Sequence, residues 1–480
     1  MQNKMHCVTK PALDYLFYPR SVAIVGVSND MSRPSGGRVF TETTVKGGFK
    51  GPIYPIGQGG GEIYGLKIYP RLTDVTGDID YVISAIPAQH VPRLLRDCAA
   101  KGVTAVHLFT AGFSELGDNE GRRLETEVAS IARELGIRLI GPNCMGLYCP
   151  RSGLSFGADF STRSGAVGYM AQSGGHSLYG VMEANARGIY FSKVISFGNA
   201  ADLNESDFLE YLTEDAETEV IAIYIEGVRD GNRFRQTLEH AARRKSVIVY
   251  KGGMTPSGAR TVSSHTGAIA GSATTWSSLI KQAGAVEVHS VAELVDMLVL
   301  LQFMAPSAGN NAAIIGLGGG ANVQATDDCL NAGLRIPLLS GEVSRKLKGD
   351  DFTEAGKIFK NPIDIFAHGS RRFIEDIIRT LGSSDQIDIL LPHIPFDLYP
   401  IPEAIEVGLY VPALINLAPE IRGRTAVVLH AITLARSQQM ATAAQATLAE
   451  AGFPVFPSFT RAATAIARFI SYYQRHNNAE

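Results

Sequence analysis

At 480 residues the chain exceeds what one hydrophobic core serves, since single cores stop growing at about 250 to 300 residues, so two or three domains are expected. Apolar residues make up 45% of the chain and charged ones 19%, with 50 glycines, which excludes disorder and suits an α/β protein with many tight turns. The net charge of −3, from 44 Lys and Arg against 47 Asp and Glu spread evenly, leaves no basic stripe, so neither nucleic acid nor a membrane is expected as a partner. Cys7, Cys98, Cys144, Cys149 and Cys329 form an odd, scattered set, which argues against a disulfide framework; Cys144 and Cys149 have no second pair, so no metal site is expected. The first twenty residues lack the apolar core of a signal peptide, and Val291 to Ala305 carries Glu293, Asp296 and Gln302 at helical spacing, as in an amphipathic core helix. A cytoplasmic protein is the expectation.

From Ser21 short apolar runs alternate with amphipathic segments: SVAIVGVS, GPIYPIG, YVISAIP, TAVHLFTAGF and IRLIGPN, separated by stretches such as VPRLLRDCAAKG. This pattern predicts a parallel sheet with helices on both faces and a first domain over 11–150. A second series runs from GAVGYMAQSGG through IYFSKVISFGN, EVIAIYIEG and SVIVYKGG to the helical VAELVDMLVLLQFM, giving a second domain over 156–304. The small and polar APSAGNN reads as a linker, and NAAIIGLGGG opens a third α/β unit, with IDILLPHIP, TAVVLHA and FPVFPSF, over 310–480. The fold expected is α/β with three doubly wound domains.

The first strand ends in Gly26-Val27-Ser28-Asn29, a turn that can bring backbone N–H groups to a phosphate. Only one glycine stands where a dinucleotide fingerprint wants three, and YPIGQGG offers no acid for a ribose hydroxyl, so a nicotinamide oxidoreductase is disfavoured; a plain structural turn stays open. In the second unit AQSGG places Ser173, Gly174 and Gly175 in the first turn of a helix, either an anion site or an ordinary serine cap. His176 beside it reads as a first-turn polar side chain. The stretch from Lys251 to Ser272, almost all small and polar residues around His265, predicts a long loop. GLGGGANVQATDD again runs strand, glycines, helix, with Gly319 and Gly320 at the start of the helix.

PRSVAIVGVS, AGFSE and GPN resemble the CoA-binding domain of nucleoside-diphosphate-forming acyl-CoA synthetases, the family that includes succinyl-CoA synthetase α subunits. SSHTGAIAGS resembles the family's phosphorylated-histidine loop, YIEG its orienting glutamate, and QSGG and NPID two further family sites; the resemblance covers about residues 11 to 465. It implies an N-terminal Rossmann-like CoA-binding domain followed by two flavodoxin-like ligase domains. The implied CoA contacts are Gly26, Ser28, Asn29, Met31, Gln58, Thr110, Ala111, Gly112 and Asn143. The chain departs from the family after the second strand, where Gly57-Gln58-Gly59 replaces an Asn-Pro-Lys type sequence and a cation is missing.

By the same resemblance His265 carries a phosphoryl group, and Glu226 holds the other ring nitrogen so that the reactive tautomer is set. Ser173, Gly174 and Gly175, with Gly319 and Gly320, stabilise the phosphate. The family arrangement implies a separate ATP-grasp β subunit holding ATP or ADP and Mg2+, in an α2β2-like assembly, and a small carboxylic acid as substrate. A different class, a CoA-sensing or scaffold protein on the same fold, would bind CoA without ligase activity.

Overall fold

The strand VAIV at Val22–Val25 is buried on every residue, as a strand covered by helices on both faces must be. It sits in the middle of a sheet, and most central strands of this computed structural model repeat the pattern. The description covers residues 12–477 except 33, 267–271, 308, 317, 349–357, 365–369, 397–403 and 432–433, and leaves out the side chains of 263–266, 348, 358–359, 404–408 and 477.

The chain divides into two compact units, one of residues 1–185 with 190–291, the other of 186–189 with 292–480. The first unit holds two large sheets. One has five parallel strands in the order β2-β1-β5-β6-β7: β1 (Val22–Val25), β2 (Ile53–Ile56), β5 (Tyr81–Ser84), β6 (Ala105–Leu108) and β7 (Arg138–Ile140). A small hairpin of β3 (Glu62–Ile63) and β4 (Leu66–Lys67) lies between β2 and β5 in the chain. The second sheet has the order β13-β12-β11-β9-β10-β8, from β8 (Gly146–Tyr148), β9 (Val167–Ala171), β10 (Phe191–Ser196), β11 (Val220–Ile225), β12 (Ser246–Lys251) and β13 (Val286–Val288). Its edge strand β8 runs antiparallel to β10, so residues just past GPN, read from the sequence as the end of the first domain, join the second sheet.

Polar side chains bridge the two sheets. Asn199 donates to Glu115 Oε2 at 2.6 Å and Glu125 Oε2 at 2.8 Å, and Arg138 pairs with Asp202 at 2.8 Å. Asn204 and Asp207 form a capping box that starts the helix Glu205–Glu214. Lys193, fully buried in β10, is neutralised by Asp215 at 2.9 Å and Glu217 at 2.8 Å.

The second unit contains one sheet in the order β15-β16-β14-β17-β18-β19: β14 (Ala312–Gly316), β15 (Ile358–Phe359), β16 (Ile363–Asp364), β17 (Ile389–Pro395), β18 (Val427–His430) and β19 (Val455–Phe456). Among the described residues only its edge strand β15 is antiparallel. Its core is aliphatic, centred on Ile315, Ile377, Leu390, Leu414 and Val427. The helix Val291–Phe303 folds with this unit from Ala292 onward because Asp296, 2% exposed, binds Arg187 at 2.6 Å and both donors of Arg461 at 2.8 Å. Breaking such a buried pair costs about 3–5 kcal/mol. Among the described residues no helix is long and apolar enough to cross a membrane.

Candidate functional site

In the first sheet the chain leaves β1 for β2 on one side and returns to β5 on the other, so the switch of direction lies between β1 and β5, where parallel α/β sheets take their ligands. A cleft of about 790 Å3 opens there, at the carboxyl ends of β1, β2 and β5. Gly26 turns the chain at φ +98, and a side chain on Gly37 would sit 2.5 Å from the Gly26 carbonyl, so the helix Gly36–Lys46 approaches this turn closely only through glycine. Gly26, Ser28 and Gln58 line the cleft. Apolar Ile56, Leu72 and Leu94 alternate in it with Arg71, His90 and Arg93, a lining that fits a long, partly apolar anion such as CoA.

The other expected CoA residues do not line this cleft. Asn29 donates from Nδ2 to the Gly60 carbonyl at 3.3 Å, and Met31 is 73% exposed. Thr110 donates to the Ile86 carbonyl at 2.6 Å and accepts the Asn143 N–H at 2.9 Å through its own carbonyl. Gly112 donates to Glu115 Oε1 at 2.6 Å, Asn143 Nδ2 to Asn199 Oδ1 at 3.4 Å, and Ala111 is exposed. Thr110 and Asn143 thus tie the loops after β6 and β7 together, and Asn143 reaches Asn199 in the loop after β10 of the second sheet.

The second sheet reverses between β9 and β11, and the candidate phosphoryl site collects at the carboxyl ends of β9, β11 and β12. After β9, Ser173 precedes the helix Gly174–Ala186, and the N–H groups of Gly174 and Gly175 have no acceptor among the described residues. Glu226 follows β11 and is 7% exposed; Tyr224 donates to its Oε1 at 3.0 Å, while the Gln172 side chain accepts the N–H of Glu226 at 2.7 Å and of Gly227 at 3.1 Å. Carboxylate and helix start are thus held by adjacent strands. Lys251 ends β12, donates to the Gly252 carbonyl and lies 5.1 Å from the Trp276 ring. Burial pushes its ammonium down to about 8, against the pull of Glu226.

His176 was expected as a plain first-turn polar residue, and it sits in the middle of this group. Its ring stacks on Tyr224 at 4.0 Å and 7°, with Tyr250 edge-on at 5.8 Å. The Ser173 hydroxyl accepts the His176 N–H at 3.3 Å and lies 3.1 Å from Nδ1 of its ring. A hydroxyl donating there leaves the proton on Nε2. Burial lowers the pKa of this imidazole, partly offset by Glu226.

The expected loop from Lys251 to Ser272 is in part a helix, Pro256–Thr266. The reason is local: Thr255 Oγ1 accepts the Gly258 N–H at 3.1 Å, Pro256 occupies the first helical position, and Val262 is buried. The Thr-Pro pair was the legible signal, outweighed by the run of small polar residues. His265 is in the last turn of this helix; its side chain lies outside the described residues, as do residues 267–271.

In the second unit Gly319 and Gly320 begin the helix Gly319–Asn331 after β14. Asp364, of NPID, accepts the Gly318 N–H at 3.0 Å, so a phosphate meeting Gly319 and Gly320 shares the helix end with a carboxylate. Asn361 of the same motif is a strand clamp, accepting from Ile314 N at 3.1 Å and donating to the Ala312 carbonyl at 2.8 Å. Among the described residues no group of three or more His, Cys, Asp or Glu could hold a metal ion.

Comparison with known proteins agrees with this geometry. Residues 20–150 match the CoA binding domain family and residues 164–301 the succinyl-CoA ligase like flavodoxin domain. The acetate–CoA ligase (ADP-forming) II subunit alpha of Pyrococcus furiosus is 36% identical over 384 residues, 79% of this chain and 81% of that protein. Acetate–CoA ligase (ADP-forming) I of Archaeoglobus fulgidus is 37% identical over 79% of this chain, which spans only 54% of that relative's length. A solved structure of acetyl-coenzyme A synthetase 1 from Candidatus Korarchaeum cryptofilum, in complex with phosphate and ADP, superposes with a TM-score of 0.80 at 28% identity over 97% of both chains. With sequence and fold matched along most of the chain, it belongs to the family of ADP-forming acyl-CoA ligases and their α subunits.

Proposed function

We propose that the chain is the CoA-binding, phosphohistidine-carrying half of an ADP-forming acid–CoA ligase. The observation that carries the reading is the convergence of Ser173, Gly174, Gly175 and Glu226 on adjacent strand ends, with the His265 segment leaving the next strand. His265 takes a phosphoryl group from ATP held by an ATP-grasp β subunit, forming a P–N bond as the bond to ADP breaks. A carboxylate oxygen of the acid substrate then attacks phosphorus and frees the imidazole, giving an acyl phosphate. The thiolate of CoA attacks the acyl carbon and phosphate leaves.

Each residue has a stated task. Glu226, oriented by Tyr224, accepts the proton on the far ring nitrogen of His265 and so keeps the attacking nitrogen unprotonated. The unclaimed N–H groups of Gly174 and Gly175 stabilise the transferred phosphoryl group, and in the second unit Gly319 and Gly320 begin a helix of the same kind. CoA lies in the cleft of the first sheet, with Gly26, Ser28 and Gln58 at its pyrophosphate and the joining loops of Thr110, Ala111, Gly112 and Asn143 toward its thiol. Mg2+ and the nucleotide are assigned to the β subunit in an α2β2-like assembly, and the acid to a small carboxylate, as in the relatives named for acetate.

The test is to incubate the chain with an ATP-grasp partner and radiolabelled ATP. Acid-labile, base-stable label should appear on the wild type and be absent from His265→Ala, which also loses turnover altogether. Label persisting on His265→Ala would remove the assignment. CoA binding with no ligase activity beside any partner would instead favour a CoA sensor.

A further inference from the structure

The cleft of the first sheet has an unusual distribution of charge. Its floor turns, Gly26 to Ser28 and Gly57 to Gly59, contain no cation. Its wall carries three nitrogen side chains, Arg71 from the segment after β4 and His90 and Arg93 at the start of the helix Val91–Ala100, against a single acid, Asp97. Neither the Arg71 nor the Arg93 side chain forms a hydrogen bond or ion pair among the described residues, although Asp97 stands one helical turn from Arg93, where an i,i+4 pair would be expected. Elsewhere in the same unit arginines are engaged: Arg20 with Asp80, Arg138 with Asp202, Arg233 with Asp207 and Glu210. Two exposed guanidinium groups on different elements, bordering one 790 Å3 cleft and without a protein carboxylate, form a fork suited to a ligand with more than one phosphate.

Building on the CoA reading above, we infer that Arg71 and Arg93 are the phosphate ligands for the nucleotide end of CoA, replacing a cation in the turn after β2. They bind the 3′-phosphorylated ADP portion and leave the pantetheine arm to the rest of the cleft. Arginine rather than lysine suits the site because its planar fork can engage two oxygens of one phosphate. The attraction is partly screened, since both side chains are open to solvent.

The experiment is calorimetric titration of the full chain with CoA, dephospho-CoA and pantetheine, for wild type, Arg71→Ala, Arg93→Ala and the double variant. Each single change should raise the Kd for CoA by roughly tenfold and the double change by roughly a hundredfold, while pantetheine, which carries no phosphate, changes less than about threefold. The slope of log Kd against log salt for CoA should flatten in the double variant, and Arg→Lys should recover part of the loss. Dephospho-CoA divides the effect: a loss as large as for CoA places the arginines on the pyrophosphate, a small one on the 3′-phosphate, and either supports the inference. A double variant that binds CoA as tightly as wild type, or loses pantetheine equally, overturns it while the CoA reading stands. A folded wild type that binds none of the three overturns both. An unchanged melting temperature for each variant separates ligand loss from misfolding.

Discussion

Two glycine turns, one in each unit, have nearly the same sequence logic and different surroundings. The turn after β9 and the turn after β14 each end a fully buried parallel strand and start a helix of 13 residues. In the first unit Ser173 bonds back to the helix and the next two N–H groups stay unclaimed, beside His176, Tyr224 and Glu226. In the second unit the N–H of Gly318 is taken by the Asp364 carboxylate. A glycine turn at a helix start therefore provides an anion site, and the neighbouring strand decides whether the protein's own acid already occupies part of it.

The contrast can be sharpened by substitution. Glu226→Gln should give the largest effect: an amide has no negative charge and, with its one oxygen taken by Tyr224, turns an NH2 donor toward the His265 ring, and His265 phosphorylation should slow by roughly 10²- to 10⁴-fold. Because Tyr224 can still donate to the Gln oxygen, the melting temperature should barely move, and a large drop would make Glu226 a structural residue. Stopped-time labelling with the partner subunit and differential scanning fluorimetry read the two sides.

A second effect compares the units through one buried imidazole each. His107 in β6 is 1% exposed, donates from Nε2 to the Cys144 carbonyl at 3.0 Å, and is pushed down to about 4 by burial, partly offset by that bond. His393 in β17 is 2% exposed and also lowered to about 4, by burial and the neighbouring His430. Between about 4 and 6.5 the unfolded chain binds the proton that the folded one refuses, so stability falls as pH drops through that window and is fully present above it. Each histidine should contribute up to about 3 kcal/mol to this loss. Hydrogen exchange at stepped pH should show both sheets loosening, and His107→Gln, which keeps an amide donor, should flatten the acid limb of the first unit while leaving that of the second.

The smallest effect is Asp364→Asn. It removes the carboxylate's charge beside the helix Gly319–Asn331 while keeping an acceptor oxygen, and should cost about 1 kcal/mol, localised by hydrogen exchange to the second unit. No measurable loss would mean that Asp364 is not stabilising that helix start, and the difference between the two turns would disappear.

The residues that sequence reading chose stand in different positions once the chain is folded. Ser173 and Glu226 could be chosen because each ends a strand in a recognisable motif, and their strands prove to be neighbours. His176 was passed over because a polar residue in a first helical turn is ordinary; only the adjacency of β9 and β11 puts its ring on Tyr224. Arg71 and Arg93 were missed for a similar reason: they are 22 positions apart in the numbering, in no shared motif, and one cleft brings them to a common border. Asp364 was noticed as part of NPID, but its bond to Gly318 needs β16 beside β14.

By itself the sequence determined three doubly wound sheets, the glycine turns, and a family-like histidine segment, because apolar periodicity and turn chemistry are local properties of the chain. Tertiary structure alone decided that the strand after GPN joins the second sheet, that Thr255 and Pro256 start a helix ahead of His265, and that one glycine turn faces a carboxylate while the other stays open. The physical reason is that hydrogen-bond partners and electric fields depend on which strands are neighbours, and strand order arises from packing across long separations in the chain.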